Sequence, residues 1–352
     1  MRRATLAAAA LSLAAASCSR ACSSPPPPLP AVPLVYASDE QGGSVAVIDP
    51  AKMEVVAKVA VGRRPRGLKL SRDGKQLYVA LSGSPNAGPG VAASALPPPD
   101  RGADGIGVVD LGKQALVRTF ESGPDPESFD LSPDGRTLYV SNEDTAEMSV
   151  VDTSTGAIRA RVKVGREPEG VTVRPDGRVV FVTSEGDGEV TAVDTGTLAV
   201  VGHAKTAERP RSVVVTRDGR TAFATCELAG VVTVFDATTF EATGTIPLHE
   251  DSPMPSGPRP MGEVLSPDDG TLYVTCGRGG SLAVIDVATR KQVRSIDGVG
   301  DRPWGVAWSA DGKRLFTANG TSHDVSVVDV ASGNVDKRAF VGGLPWGVVA
   351  GK

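Results

Sequence analysis

The chain has 352 residues, a net charge of −4, a pI of about 5.6 and a mean hydropathy of −0.05. A general nucleic-acid binder carries a basic surface, so this balance argues against one. Hydrophobic residues at 40% supply a large core and exclude a disordered chain, while 41 Gly and 27 Pro, spread between short apolar runs, read as turns of an all-β protein.

The first segment reads as a targeting signal. Arg2 and Arg3 precede a short apolar run, Thr5 to Ala16, which is too short to span a bilayer. Small residues from Ala14 to Ser17 then lead to Cys18. This is similar to a bacterial lipoprotein signal, with residues 1–17 removed and Cys18 lipidated. Ordinary signal-peptidase cleavage near Ala16 is the alternative. Either way an exported protein is expected, periplasmic or held at the outer membrane. Residues 18–33 include four consecutive prolines, favour extended polyproline II, and read as a spacer.

From residue 34 onward the chain repeats. An apolar strand, an Asp-Gly turn and a second apolar strand recur at Asp73-Gly74, Asp134-Gly135, Asp176-Gly177, Asp218-Gly219, Asp269-Gly270 and Asp311-Gly312. Asp-Gly between apolar runs is a strong hairpin signal, because Gly adopts positive φ at little cost. A third strand ends in Asp seven times, from Asp49 to Asp329, and a fourth leads to a Pro-containing turn. These aspartates are read as turn formers that accept backbone hydrogen bonds. Four short strands per period of about 42 residues predict a propeller. With strands A to D counted from each Pro turn, the chain starts on a B strand and ends on an A strand, Trp346 to Val349. The expected fold is therefore all-β, a seven-bladed propeller over residues 34–352. Its last blade takes its A strand from the C-terminus, which closes the ring and removes exposed sheet edges.

Segments such as LYVSNEDTAEMSVVDTSTGAI and LYVTCGRGGSLAVIDVATRKQV resemble YVTN-type β-propeller repeats. The Pro-turn segments GREPEGVTVRPDG and DRPWGVAWSADGKRLFTANG, with the terminal LPWGVV, are similar to a subgroup that accompanies periplasmic pyrroloquinoline-quinone-dependent alcohol oxidation. That resemblance implies a non-catalytic binding or accessory protein. Some related seven-bladed propellers are lactonases, which gives the alternative: a hydrolase with acid–base or metal chemistry in the channel mouth, with Glu127, Glu143, Glu169 and Glu185 as candidates.

The strand directions put the B–C and D–A loops on one face, here called the top. Both irregular loops, 83–104 and 247–260, fall there, and long loops on a rigid scaffold are where function tends to sit. Two columns frame the top of the channel. The first follows each Pro: Arg66, Glu127, Glu169, Arg211, Met261, Trp304 and Trp346. The second ends each B strand: Glu40, Ser82, Glu143, Glu185, Glu227, Gly277 and Gly320. A charged wall facing an aromatic wall suits a partner or a ligand with a planar part and a polar end. Clustered carboxylates alternatively suit Ca²⁺, and mutual pairing of the glutamates with Arg66 and Arg211 is the plainer reading. No cofactor is expected, with Ca²⁺ as the one metal the carboxylates would suit. A monomer is expected. Cys226 and Cys276 are expected to be separate buried thiols.

Overall fold

The computed structural model describes residues 28–86, 95–249 and 257–351, so Cys18 and parts of both long top loops lie outside the described residues. Seven four-stranded antiparallel sheets stand radially around a central channel. The innermost A strands are Pro65–Leu70, Pro126–Leu131, Pro168–Val173, Pro210–Val215, Pro260–Leu265, Pro303–Trp308 and Pro345–Ala350, for blades 1 to 7 in that order. The last of these pairs with Val35–Asp39, in register Val35 opposite Ala350, so blade 7 is built from both ends of the chain as expected. Gly351 then donates its N–H to the Leu34 carbonyl at 2.7 Å. None of the described residues forms a helix long and apolar enough to cross a membrane.

Each blade is a twisted sheet whose two faces both meet neighbours, so its central strands are apolar on both sides rather than alternating. In the B strand Gln76–Leu81, for example, every residue from Leu77 onward is buried. Seven hydrophobic clusters result, one for each blade interface. Between blades 3 and 4, Phe181 and Phe235 meet edge to face with ring centroids 5.7 Å apart. Cys226 and Cys276 are buried thiols with no disulfide between them.

The A–B turns are built as the sequence implies, with one correction. In blade 1, Ser71 donates its hydroxyl to Asp73 and accepts from the Gln76 N–H, while Gly74 holds φ at +67°. In blade 5 the equivalent pair is Ser266 and Asp268, and Asp269 takes the left-handed place at φ +59°. The turn is therefore Asp268-Asp269, not Asp269-Gly270, because the serine two residues before the aspartate fixes the frame. The seven strand-C aspartates do accept turn N–H groups, as Asp152 does from Ser154 and Thr155.

Close packing of the A strands sets the channel. Their third residue is always Gly or Ser: residues 67, 128, 170, 212, 262, 305 and 347. A Cβ on Gly347 would lie 2.6 Å from the Arg66 carbonyl oxygen, and one on Gly262 would lie 2.3 Å from that of Trp304. At the bottom, Val32, Pro33 and Leu34 line a cavity of about 850 Å³ together with Glu263 and Trp308.

Candidate functional site

A hydroxyl in the B strand places five of the seven rim residues that follow each Pro. Ser38, Ser141, Thr183, Thr225 and Thr275 reach across the blade interface and donate to the carbonyls of Arg66, Glu169, Arg211, Met261 and Trp304, at 2.6–3.2 Å. The same hydroxyls accept the N–H of the third A-strand residue of their own blade, as Thr225 does from Ser212 and Thr275 from Gly262. Each A strand bulges opposite its B strand at this level, which frees the groups that the hydroxyl satisfies. Blades 1 and 6 carry Ala80 and Ala318 there instead.

All nine sequence-predicted rim residues lie at the mouth, and the charged ones form two linked clusters. In the first, Arg66 pairs with Glu127 and with Glu40 (3.2 Å) and approaches Glu143 at 4.0 Å. Arg64 adds a second contact to Glu40 at 2.9 Å. In the second, Arg211 pairs with Glu169, Glu185 and Glu227, while Arg209 contacts Glu185 at 2.8 Å and Glu227 at 3.2 Å. Burial works against charge on Arg211, but Glu169, Glu185 and Glu227 outweigh it and keep the guanidinium protonated.

Three carboxyls of these clusters, Glu143, Glu169 and Glu185, are shifted from their ordinary range. Burial, then the neighbouring Glu169 charge, pushes Glu185 up to about 10. Burial also resists ionisation of Glu169, yet Arg211 and the hydrogen bond from Glu185 hold it below its usual range. The pair therefore shares one proton at neutral pH, with Glu185 as donor. Glu143 sits at the lip with its side chain 39% exposed. Its surroundings still desolvate it, and with Asp125, Glu169 and Asp144 nearby its pKa rises to about 7 despite Arg66.

The other side of the mouth is aromatic. Trp304 and Trp346 lie with ring centroids 5.5 Å apart and planes tilted by 30°. Arg211 and Arg302 place their guanidinium carbons 5.3 and 5.2 Å from the Trp304 ring centre. Such cation–π contacts are worth about 0.5–1 kcal/mol where exposed.

The carboxylate cluster suited to a metal brings oxygens of Asp125, Glu127 and Glu143 within 4.8 Å of one another. The fit is poor, because Arg66 already pairs with Glu127 and Ser82 donates to Asp125. The guanidinium takes the role that a cation would fill.

Sequence reasoning missed the residues just before each Pro. Arg64, Asp125, Glu167, Arg209, Arg259 and Arg302 have φ between +41° and +61°. This left-handed backbone costs a non-glycine residue of order 1–3 kcal/mol, and such strain concentrates at functional sites. The signal was available: six charged residues in one column. Also missed was Glu263, which stands where the other A strands carry Leu, Phe or Val. Both of its oxygens are buried without a hydrogen-bond partner, and burial drives its pKa well above the usual value.

Comparison with known proteins bears on this geometry. Residues 170–340 match the family model of the seven-bladed β-propeller lactonases. That stretch, just under half the chain, carries Glu185, Arg211, Glu227, Arg302 and Trp304. Antigen Lp49 of Leptospira interrogans is 29% identical over 108 residues, which are 31% of this chain and 23% of that protein, so the match spans about a quarter of the relative. Two solved structures share the fold. Hydrazine synthase of Kuenenia stuttgartiensis gives a TM-score of 0.67 at 21% identity over 81% of this chain and 89% of that one. The periplasmic gluconolactonase of Pseudomonas aeruginosa gives 0.68 at 20% over 91% and 99%. These findings show the seven-bladed propeller fold and a partial match to the lactonase family model; they do not extend to the YVTN repeat or to the quinone-linked subgroup.

Proposed function

We propose that the protein hydrolyses a lactone at the top channel mouth, the alternative raised from the sequence. The accessory role beside a quinone-dependent dehydrogenase draws no support from the comparisons. The observation that carries the hydrolase reading is the placing of two carboxyls of different character at the mouth on adjacent blades: Glu143 at the lip, 4.0 Å from Arg66 with its pKa raised to about 7, and Glu185, buried under Arg209 and Arg211 with its pKa raised to about 10. Groups pushed apart in this way suit acid–base work.

Glu143 takes a proton from water as the water oxygen bonds to the lactone carbonyl carbon. The Arg66 and Arg211 guanidinium groups face the developing oxyanion, a role worth about 3–4 kcal/mol for one well-aimed donor. The ring C–O bond then breaks, and the departing alkoxide takes the proton of Glu185, leaving an open hydroxy acid. Burial and the Glu169 charge hold Glu185 in its protonated, donating form against the pull of Arg211.

The test is acid release by purified protein from a panel of γ- and δ-lactones, gluconolactone included. Hydrolysis above background that Glu185→Gln and Glu143→Gln each cut by about 10²–10⁴-fold supports the reading. No hydrolysis of any lactone by the intact protein overturns it. We also propose that the chain is exported and tethered through Cys18. Cys18→Ala should then move it to the soluble periplasmic fraction, and a wild-type protein already found there refutes the tether.

A further inference from the structure

Where Ala80 and Ala318 replace the B-strand hydroxyl, two blade interfaces lose the buried tie between one A strand and the next. At the first of these, between blades 1 and 2, the top is bridged by the long loop instead. The end of that loop folds back on its start: the Asp100 N–H donates to the Gly83 carbonyl at 3.0 Å, and the Gly83 N–H donates to Asp104 at 2.7 Å. Between them lies a short 3₁₀ turn, Arg101–Ala103. Arg101 donates to Ser84 at 3.1 Å and to Asp104 at 3.2 Å, both in blade 1, and to Asp144 in blade 2. Asp144 follows Glu143 in a second 3₁₀ turn, Glu143–Thr145. Blade 2 holds the rest of that turn itself: the Glu143 N–H donates to the Asp125 carbonyl at 3.0 Å, and Lys163 donates to the Thr145 carbonyl at 2.9 Å. Ser82 and Lys69 also cross the interface, to Asp125 and Asp130, and Arg66 approaches the Glu143 carboxylate. Arg101 is the group that grips the neighbour of Glu143 in the turn.

We propose that Arg101 is a positioning residue for Glu143: the inserted loop reaches across an interface that lacks its hydroxyl tie and fixes the place and the charge surroundings of that carboxyl. Its catalytic meaning rests on the reading of Glu143 as the base. A single exposed ion pair would contribute little, and the Arg101 and Asp144 side chains are 40% and 41% exposed. Arg101, however, holds three partners with one planar fork, and the Asp104 side chain among them is only 5% exposed. Ordering one side chain thus secures contacts in two blades. The electrostatic part follows from what faces Glu143: Arg66 on one side, and Asp125, Glu127, Glu169 and Asp144 on the other. Burial raises the Glu143 pKa most, Arg66 opposes it, and Asp125, Glu169 and Asp144 add to the rise. Arg101 offsets the Asp144 charge and so limits that rise.

The first readout needs no substrate. Carbon-13 NMR follows the titration of the Glu143 carboxyl, its signal assigned by loss in Glu143→Gln. Arg101→Gln leaves Asp144 uncompensated and should raise the Glu143 midpoint by about 0.3 pH unit or more. Asp144→Asn should lower it. Added to Asp144→Asn, Arg101→Gln should cause less than about half the shift it causes alone, because it acts through Asp144. Arg101→Lys keeps the charge but not the fork, so the midpoint should stay near that of the intact protein. The second readout is hydrolysis of a lactone. Arg101→Gln and Arg101→Lys should each lower kcat by about tenfold with little change in KM, at an unchanged melting temperature, as expected for a misplaced group. An unmoved Glu143 titration in Arg101→Gln overturns the proposal. So does the full shift persisting beside Asp144→Asn, or a kcat that none of the Arg101 variants changes. A protein that opens no lactone yet shows these shifts loses the hydrolase reading and keeps the clamp on Glu143.

Discussion

The Ser141 hydroxyl of blade 2 donates to the Glu169 carbonyl of blade 3 at 2.6 Å while accepting the Ser128 N–H at 3.2 Å. One buried side chain thus satisfies a bulge in its own sheet and fixes the height of a rim carboxylate in the next. Ser141→Ala leaves a buried N–H and a buried carbonyl unmet, which costs about 1–3 kcal/mol. Thermal unfolding should show that loss, and any lactone hydrolysis should fall with it. A variant as stable as wild type would mean that water or bulge relaxation replaces the hydroxyl.

Arg211 stands between three carboxylates with its own side chain 13% exposed. Arg211→Met leaves the buried Glu169 charge without its ion-pair partner, while Arg209 still contacts Glu185 and Glu227, a change of about 3–5 kcal/mol. The loss should shrink as the pH falls towards 4, since protonating Glu169 removes its unpaired buried charge. Urea unfolding of both proteins at pH 7 and pH 4 checks this, and an equal gap at the two values counts against it.

Glu263 gives the clearest pH signature. Its pKa is raised above the ordinary 4.5, so the folded state holds a proton that the unfolded chain releases. Stability is therefore fully present below 4.5 and falls as pH climbs towards the raised value, by about 1.4 kcal/mol per pH unit for one proton. Glu263→Leu, which matches Leu68 at the same place in blade 1, should remove that slope and stabilise the protein at pH 8 by about 1–3 kcal/mol. Parallel stability curves for the two proteins would refute it.

If Glu143 is the base, kcat/KM for a hydrolysed lactone should rise with pH through about 7, where its carboxyl ionises. Glu143→Gln should flatten that limb. A limb that persists in the variant assigns it to another group.

The ring was legible because its signals are local and repeated. Asp-Gly turns, the terminal strand-C aspartates and the Pro turns each follow from the needs of one hairpin. The rim columns were legible for the same reason, since the residue after each Pro has a fixed place. What stayed hidden depends on contacts between blades. Nothing local distinguishes Thr225, which locks Met261, from Thr221 or Thr238. The buried Glu263 reads as one more glutamate until its neighbours are known, and the sharing of a proton by Glu169 and Glu185 arises only when two sheets bring them under one arginine.

The meeting of Leu34 and Gly351 has a consequence for how the fold can be written. A short peptide joining these ends would make a covalent circle without moving any strand. The circle can then be cut open in another surface turn, such as the one at Asp134-Gly135, to give a permuted gene. Blade order along the chain is in that sense a convention of where transcription starts, and the mouth chemistry belongs to the circle rather than to any one reading of it.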